Sequence, residues 1–438
     1  MGLGVFLCFT AAIMENICIK LLIMPEYMKP SSLISRLFYV GIRTRVHEMG
    51  EVTMEQASLP KRSSVRNQRS APKGTKKRKK KKGGFLRFSI RLFWSLVLVG
   101  AAAAVWLFLT VSGNHFRYLI ADTLITTQHR YLAKYIIGQD ELNKRVGEYN
   151  KRFEAMGVEK DTHQIKLPVQ TQTASAEAGK EMEKPPLVEI EEVSGKGYHG
   201  YVMTVHDPTK IRLGVPAKRG KGEKVSSMVK RYGAIAGVNG GGFADPNWKG
   251  NGFKPIGIVI SQGKLYYNGL GKNATTQVVG IDRDGKMIAG NYSLKELDRM
   301  GVQEAVTFQP RIIVNGKGLI KNAAEGWGIA PRTAMGQRED GAILFVVIDG
   351  RQPTYSVGAN LYDVQQIMLK HGAVIAANLD GGSSTVLVKD NEIVNKPSSE
   401  YGERYLPTAF LVFEHPEQAD IPNIWAGLNP RDIDPSKK

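Results

Sequence analysis

Val374-Ile375-Ala376-Ala377-Asn378-Leu379-Asp380-Gly381-Gly382-Ser383-Ser384-Thr385 is a strand-length apolar run that ends in a carboxylate, two glycines and three hydroxyls. Short apolar runs, in a region punctuated by Gly, Asn and Asp, recur at 201–205, 234–238, 256–260, 277–281, 312–314, 342–348, 385–388 and 408–413. Strand-length runs bounded by turn residues predict a strand-rich domain over 187–413. Helical spacing is rarer, at 225–232, 293–300 and 361–370, and does not alternate regularly with the strands. The fold class expected is therefore α+β, a strand-rich mixed sheet domain with a few packed helices. A domain of about 225 residues is large enough to bury a single substantial core.

Outward from that domain the chain changes character. Residues 414–438 read as a polar tail, and 166–186, which end in Pro185-Pro186, read as a linker. Residues 113–165 carry Tyr118, Leu119, Leu124, Ile125, Tyr131, Leu132, Tyr135 and Ile136 at mixed spacings of three and four. That spacing predicts a helical juxtamembrane stalk. Residues 92–111 are 20 positions without a charge. As a helix they reach about 30 Å, the thickness of a bilayer core, so a single transmembrane helix is expected over 92–112. Trp94 and Trp106 lie toward its ends, where indoles favour the interface.

The chain has 438 residues, 42% hydrophobic and 23% charged, with 47 Gly and 20 Pro, which excludes collagen-like, wholly disordered and small disulfide-scaffold classes. Of its net charge of +19, fourteen units lie between Gln56 and Arg91, where no acid occurs, including seven consecutive bases from Lys76 to Lys82. Basic residues immediately before a span are retained on the cytoplasmic side and attract anionic lipid. Residues 1–91 are thus expected as a cytoplasmic basic tail, with the rest outside and no nucleic-acid partner. An uncleaved anchor fits better than a signal peptide, because the apolar run exceeds a usual h-region. Residues 1–53 fit a second membrane helix less well than a mis-assigned start, for which Met28, Met49 and Met54 are the expected alternatives. Both cysteines, Cys8 and Cys18, lie before the span, so the exported part has no disulfide, which suits a bacterial envelope protein.

Four motifs carry chemistry. Asn239-Gly240-Gly241-Gly242 follows a strand, and its glycines allow close backbone approach to an anion or, equally, a plain turn. No Lys-Ser/Thr follows at Walker spacing. In Asn378-Leu379-Asp380-Gly381-Gly382-Ser383-Ser384, a carboxylate beside flexible N–H donors and hydroxyls fits a polyhydroxylated or phosphorylated ligand. Asp-Gly between strands is also a hairpin signal. Arg332 in Pro331-Arg332-Thr333-Ala334-Met335-Gly336 offers the planar fork that matches phosphate oxygens. Asp349-Gly350 follows a very apolar strand and reads chiefly as a turn. No His-Glu-x-x-His or Gly-x-Ser-x-Gly motif is present. Oxygen-rich Asp and Asn sites can hold Ca²⁺, which stays open as a candidate although no EF-hand loop occurs, and no cofactor is fixed by the sequence.

Taken in order, these segments resemble the phosphodiester glycosidase family, of the N-acetylglucosamine-1-phosphodiester α-N-acetylglucosaminidase type. The resemblance lies in Asn239-Gly240-Gly241, Pro331–Gly336, Asp349-Gly350, Gly358-Ala359-Asn360-Leu361-Tyr362-Asp363, the run from Asn378 to Ser384, and Arg404 with Thr408. It covers about 175 residues, from Gly237 to Phe413, and says nothing of 1–186. It implies hydrolysis of the sugar C1–O bond in a sugar-1-phosphodiester. Such chemistry commonly uses a carboxylate pair, here Asp380 and Asp363, with Arg332 on the phosphate. Substrate-binding positions implied are Asn239, Gly240, Gly241, Thr333, Asp349, Asn378, Gly381, Gly382, Ser383, Ser384 and Arg404.

The expected protein is a membrane-anchored, outward-facing hydrolase acting on phosphodiester-linked glycans, such as wall polymers or exopolysaccharide, in a bacterial cell envelope. The alternatives are a non-catalytic glycan-binding or polymer-assembly protein and a phosphodiesterase that cuts P–O.

Overall fold

The computed structural model describes residues 83–127, 129–166, 185–246, 250–271 and 273–437. The polybasic run, both cysteines, the alternative starts and 167–184 of the expected linker lie outside the described residues. Four helices come first: α1 (Gly83–Leu109), α2 (Val111–Ile125), α3 (Arg130–Ile137) and α4 (Gln139–Met156). Within α1, Arg87–Leu109 has a mean hydropathy of 2.3 and its apolar window has no residue buried. At 1.5 Å per residue it is roughly 34 Å long, enough to cross a bilayer. It is the one candidate span among the described residues. Thr110 then caps α2, its hydroxyl accepting from the Gly113 amide at 3.0 Å.

The strand-rich domain holds three sheets. The first runs β1 (Val188–Gly195), β2 (Tyr198–Val205), β13 (Ile343–Ile348), β12 (Arg332–Arg338), β14 (Ala373–Leu379), β10 (Arg311–Val314) and β11 (Lys317–Gly318). The second runs β16 (Glu392–Ile393), β15 (Leu387–Lys389), β4 (Ala236–Asn239), β17 (Ala409–Val412) and β3 (Ile211–Gly214). The third runs β6 (Lys264–Asn268), β5 (Ile258–Ser261), β9 (Val302–Thr307), β7 (Thr275–Asp282) and β8 (Met287–Ser293). Every pairing among these strands is antiparallel. The fold is α+β and strand-rich. Its domain helices are α5 (Val225–Tyr232), α6 (Leu294–Arg299) and α7 (Leu361–Lys370).

The wholly apolar β13 is explained by burial on both faces. Side chains alternate along a strand, so Ile343, Phe345 and Val347 face the second and third sheets, where Phe345 meets Phe410 at 5.9 Å. Leu344, Val346 and Ile348 face the other way, onto Leu361, Val364 and Met368 of α7.

Two segments differ from expectation. Residues 414–437 do not form a polar tail: Ile421, Ile424, Trp425 and Ile433 join the core, and the Trp425 indole donates to the Phe253 carbonyl at 3.0 Å. Nor do α2–α4 stand off as a stalk. Tyr149, Phe153 and Met156 of α4 belong to the same cluster as α7. Buried Arg311 holds that docking: it donates to the carbonyls of Met156 at 3.0 Å, Ala289 at 2.9 Å and Glu159 at 2.7 Å. A guanidinium suits a helix C-terminus, where carbonyls lack intrahelical partners.

Candidate functional site

The antiparallel ladder brings distant motifs to one end of the first sheet. Thr333 of β12 lies opposite Leu379 of β14, and Arg332 lies opposite Ile348 of β13. The beginning of β12 therefore adjoins the ends of β13 and β14. Arg332, the 349–351 turn and Asp380 all emerge beside one another. The end of β4 is tied to the same place, with the Asp380 amide donating to the Gly240 carbonyl at 3.2 Å and the Asn239 amide group donating to the Asp380 carbonyl.

A cavity of about 550 Å³ opens there. Of the expected residues, Asp380, Arg332, Asn378, Gly381, Gly382, Ser383, Ser384 and Arg404 line it. Asp380 is its one carboxylate among the described residues. Oδ2 of Asp380 is buried without a hydrogen-bond partner. Burial pushes this carboxyl up to about 7, against the opposing pull of the Ser384 hydroxyl and the Arg404 charge.

Three guanidiniums of the strand-rich domain line the same cavity. Arg332 is buried, and its Nε donates to the Ala359 carbonyl at 3.1 Å, while Nη2 donates to Trp327 at 2.7 Å and Gly328 at 2.9 Å. Burial lowers its pKa to about 9, which leaves it charged at neutral pH. Arg351 donates through Nη1 to the Ser383 hydroxyl at 2.8 Å. Gly382 lies under this guanidinium at φ +63°, and a Cβ there would come within 3.2 Å of Nη2. Arg404 donates to Asp245 Oδ2 at 2.6 Å and covers the Phe243 ring at 4.9 Å. Asn378 donates to the Gln309 carbonyl at 3.2 Å, and its Oδ1 is buried without a partner.

The other expected residues lie off the cavity lining. Asn239 is fully buried; its Oδ1 accepts from the Thr333 hydroxyl at 2.8 Å and from the Val386 amide at 3.1 Å. The amides of Gly240 and Gly241 donate to the Thr408 carbonyl and hydroxyl, at 3.0 and 3.1 Å. Asp349 is buried, and burial raises its pKa. It accepts from the Asn395 side chain at 2.8 Å, the Lys396 amide at 2.9 Å and the Tyr355 hydroxyl at 3.2 Å. These bonds anchor the turn from which Arg351 reaches the cavity. Asp363 forms a reciprocal capping box with Asn360 at the start of α7.

Arg351 is the site residue the motif reading passed over, though it stands two positions after Asp349 in the same turn. More surprising is the opposite wall, built by Thr126, Thr127 and Arg130 with Asn150 and Phe153 of α4. No motif marks these residues, because only docking of the helices brings them to the site. The same helices grip the loop that holds Arg332. The Trp327 ring meets Tyr149 edge-on at 4.0 Å and Phe153 at 4.9 Å. The Thr123 hydroxyl accepts from the Ile329 amide at 3.2 Å. Among the described residues no group of three or more His, Cys, Asp or Glu is placed to hold a metal ion.

The model of the phosphodiester glycosidase family matches residues 232–413. A prophage-derived uncharacterized protein of Bacillus subtilis, YomE, is 28% identical over 199 residues, covering 44% of this chain and 29% of that one. The bovine N-acetylglucosamine-1-phosphodiester α-N-acetylglucosaminidase is 36% identical over 70 residues, covering 16% of this chain and 13% of that one. The chain thus spans less than a third of the length of either. The catalytic domain of the zebrafish enzyme of that name, auto-inhibited by its pro-peptide, has a TM-score of 0.44 at 22% identity, with 59% of this chain and 97% of that one covered. Over residues 232–413, then, the chain is similar to the phosphodiester glycosidase family.

Proposed function

We propose that this protein hydrolyses the C1–O bond of a sugar-1-phosphodiester, with Asp380 as the reacting carboxylate. The observation that carries the reading is a single carboxylate, one oxygen of which has no hydrogen-bond partner, in a cavity that Arg332, Arg351 and Arg404 also line. Water attacks C1, the C1–O bond breaks, Asp380 takes the proton released by water, and the bonding pair leaves with the phosphomonoester. Phosphate is already a good leaving group, so the cavity needs fixed positive charge more than a second carboxylic acid. Arg351 and Arg404 face the departing phosphate, while Arg332 supplies field from the side. Asn239, Thr333 and Asp349 act one step back, holding the backbone of Asp380 and Arg351. Asp363 orients α7.

The protein works outside a bacterial cell membrane. Its span Arg87–Leu109 is preceded by the basic run, which argues for an inner N-terminus. The substrate is a phosphodiester-linked glycan of the envelope, with N-acetylglucosamine-1-phosphodiesters as the first class to try.

The test incubates the full chain in detergent with such a diester and identifies the released sugar. Free N-acetylglucosamine, lost in Asp380→Asn, supports the reading. Sugar-1-phosphate overturns it in favour of P–O cleavage. Absence of product from a folded chain that still binds polymer favours a glycan-binding protein.

A further inference from the structure

The cavity does not end at its helical wall. Arg130, which lines it, also opens a second groove of about 520 Å³ between α3 and α4. That groove is lined by Arg130, Tyr131 and Lys134 of α3 and by Gln139, Leu142, Asn143 and Val146 of α4. It contains no acid, and among the described residues neither Arg130 nor Lys134 forms an ion pair with a carboxylate. The Arg130 Nε donates to the Ile125 carbonyl at 3.0 Å, which fixes the guanidinium at the junction. Lys134 follows four residues later on the same helical face, about 6 Å farther along the axis.

The groove is also held rigidly relative to Asp380. Asp122 of α2 accepts from Arg145 Nε at 2.8 Å and Nη2 at 2.6 Å, and from the Tyr149 hydroxyl at 3.1 Å, which locks α2 to α4. Arg311 and Trp327 lock α4 to the sheet. An extended ligand therefore meets a preformed track rather than a loose tether.

We infer that the cavity and the groove are one continuous substrate track, and that the groove takes the aglycone arm of a substrate carrying at least one further phosphate. This rests on the hydrolytic reading above for the end at Asp380. Two cations spaced along one helix match successive phosphates separated by a sugar, and the exposed ring of Tyr131 offers apolar surface to a sugar face. The substrate is accordingly an oligomer of phosphodiester-linked sugars, not a single sugar-phosphate diester.

The test uses the full chain in detergent with two probes: methyl N-acetylglucosamine-1-phosphate, which has one phosphate, and three N-acetylglucosamine units joined through 1-phosphodiesters. The wild type is expected to prefer the oligomer in kcat/KM. Lys134→Ala and Arg130→Ala each lower the oligomer-to-monomer ratio about tenfold, and Lys134→Arg restores it. In parallel, the oligomer is titrated onto Asp380→Asn with and without Lys134→Ala, and its affinity falls about tenfold with the second change and weakens with salt. A ratio and an affinity unmoved by both groove substitutions overturn the track. Preference for the one-phosphate probe, indifferent to Lys134, also overturns it. If the wild type releases sugar from neither probe, the hydrolytic reading fails, and the titration alone decides the groove.

Discussion

Arg332 donates to the carbonyl of Trp327 at 2.7 Å, and the indole of that same Trp327 stands edge-on to Tyr149 with ring centroids 4.0 Å apart. A cavity arginine of the family domain is thus held by a residue clamped from outside it. Gly328, the next carbonyl to accept from Arg332, has φ +61°, and a Cβ there would sit 2.6 Å from the Asp122 carbonyl. Helix and loop approach closely enough that only glycine fits.

Trp327→Ala should therefore weaken catalysis by releasing the loop that holds Arg332, in addition to opening the part of the cavity wall that the indole forms. We expect kcat/KM to fall about tenfold, or ~1.4 kcal/mol in transition-state terms, with Trp327→Phe recovering most of it. A kcat/KM equal to wild type, measured alongside a melting curve, would show that the clamp does not position Arg332.

Asp380→Asn should reduce turnover by about 10³-fold, within the range for losing a positioned base, while the chain stays folded. Because burial raises the Asp380 pKa to about 7 and the reaction requires the carboxylate, kcat/KM should rise with pH through about 7 and then level. A descending limb in that region would assign Asp380 the acid role instead.

Gly382→Ala places a Cβ at φ +63° and 3.2 Å from Arg351 Nη2. The backbone strain alone amounts to about 1–2 kcal/mol. Displacement of Arg351 should add a loss of kcat/KM that alanine at an exposed left-handed glycine such as Gly402 does not cause, with melting curves of the two variants as the control.

Arg311→Met leaves the Met156, Glu159 and Ala289 carbonyls without their shared donor and should cost about 3 kcal/mol of stability, read as a lowered denaturation midpoint. By the same argument, a fragment beginning at Leu187 exposes Arg311 and Trp327 and should melt below a chain that retains α2–α4. Equal melting of the two would remove the helices from the cooperative unit.

Glu304 of β9 is buried, with its carboxylate accepting from the Leu213 amide at 2.9 Å and the Gln262 amide at 3.3 Å. Burial raises its pKa to about 7 from an ordinary 4.5. The folded state therefore binds the proton that the unfolded chain has released, so stability from this group falls as pH rises from 5 to 8. Glu304→Gln should flatten that part of the stability–pH profile. An unchanged slope would place the titration elsewhere.

Local pattern was enough for the strand-rich α+β class, for the apolar helix before it and for the motifs at 378–384 and 331–336. Alternation, turn chemistry and charge-free length are properties of neighbours in the chain, and they survive in the structure as β13, β14, α7 and α1. Asp380 was legible for the same reason: a carboxylate closing an apolar strand is anomalous wherever the strand goes. Tertiary packing decided what those motifs face. The amides of Asn239-Gly240-Gly241 turn inward to Asp380 and Thr408, and Asp363 stays with its helix cap. Arg351 enters the cavity because Asp349 anchors its turn. The helical wall was beyond any local reading, since Arg130 and Trp327 are nearly 200 residues apart and meet the site only through the buried contacts of Asp122, Tyr149 and Arg311. Long-range burial selects among the surfaces that local pattern leaves open, and here it joins the segment after the long apolar helix to the cavity.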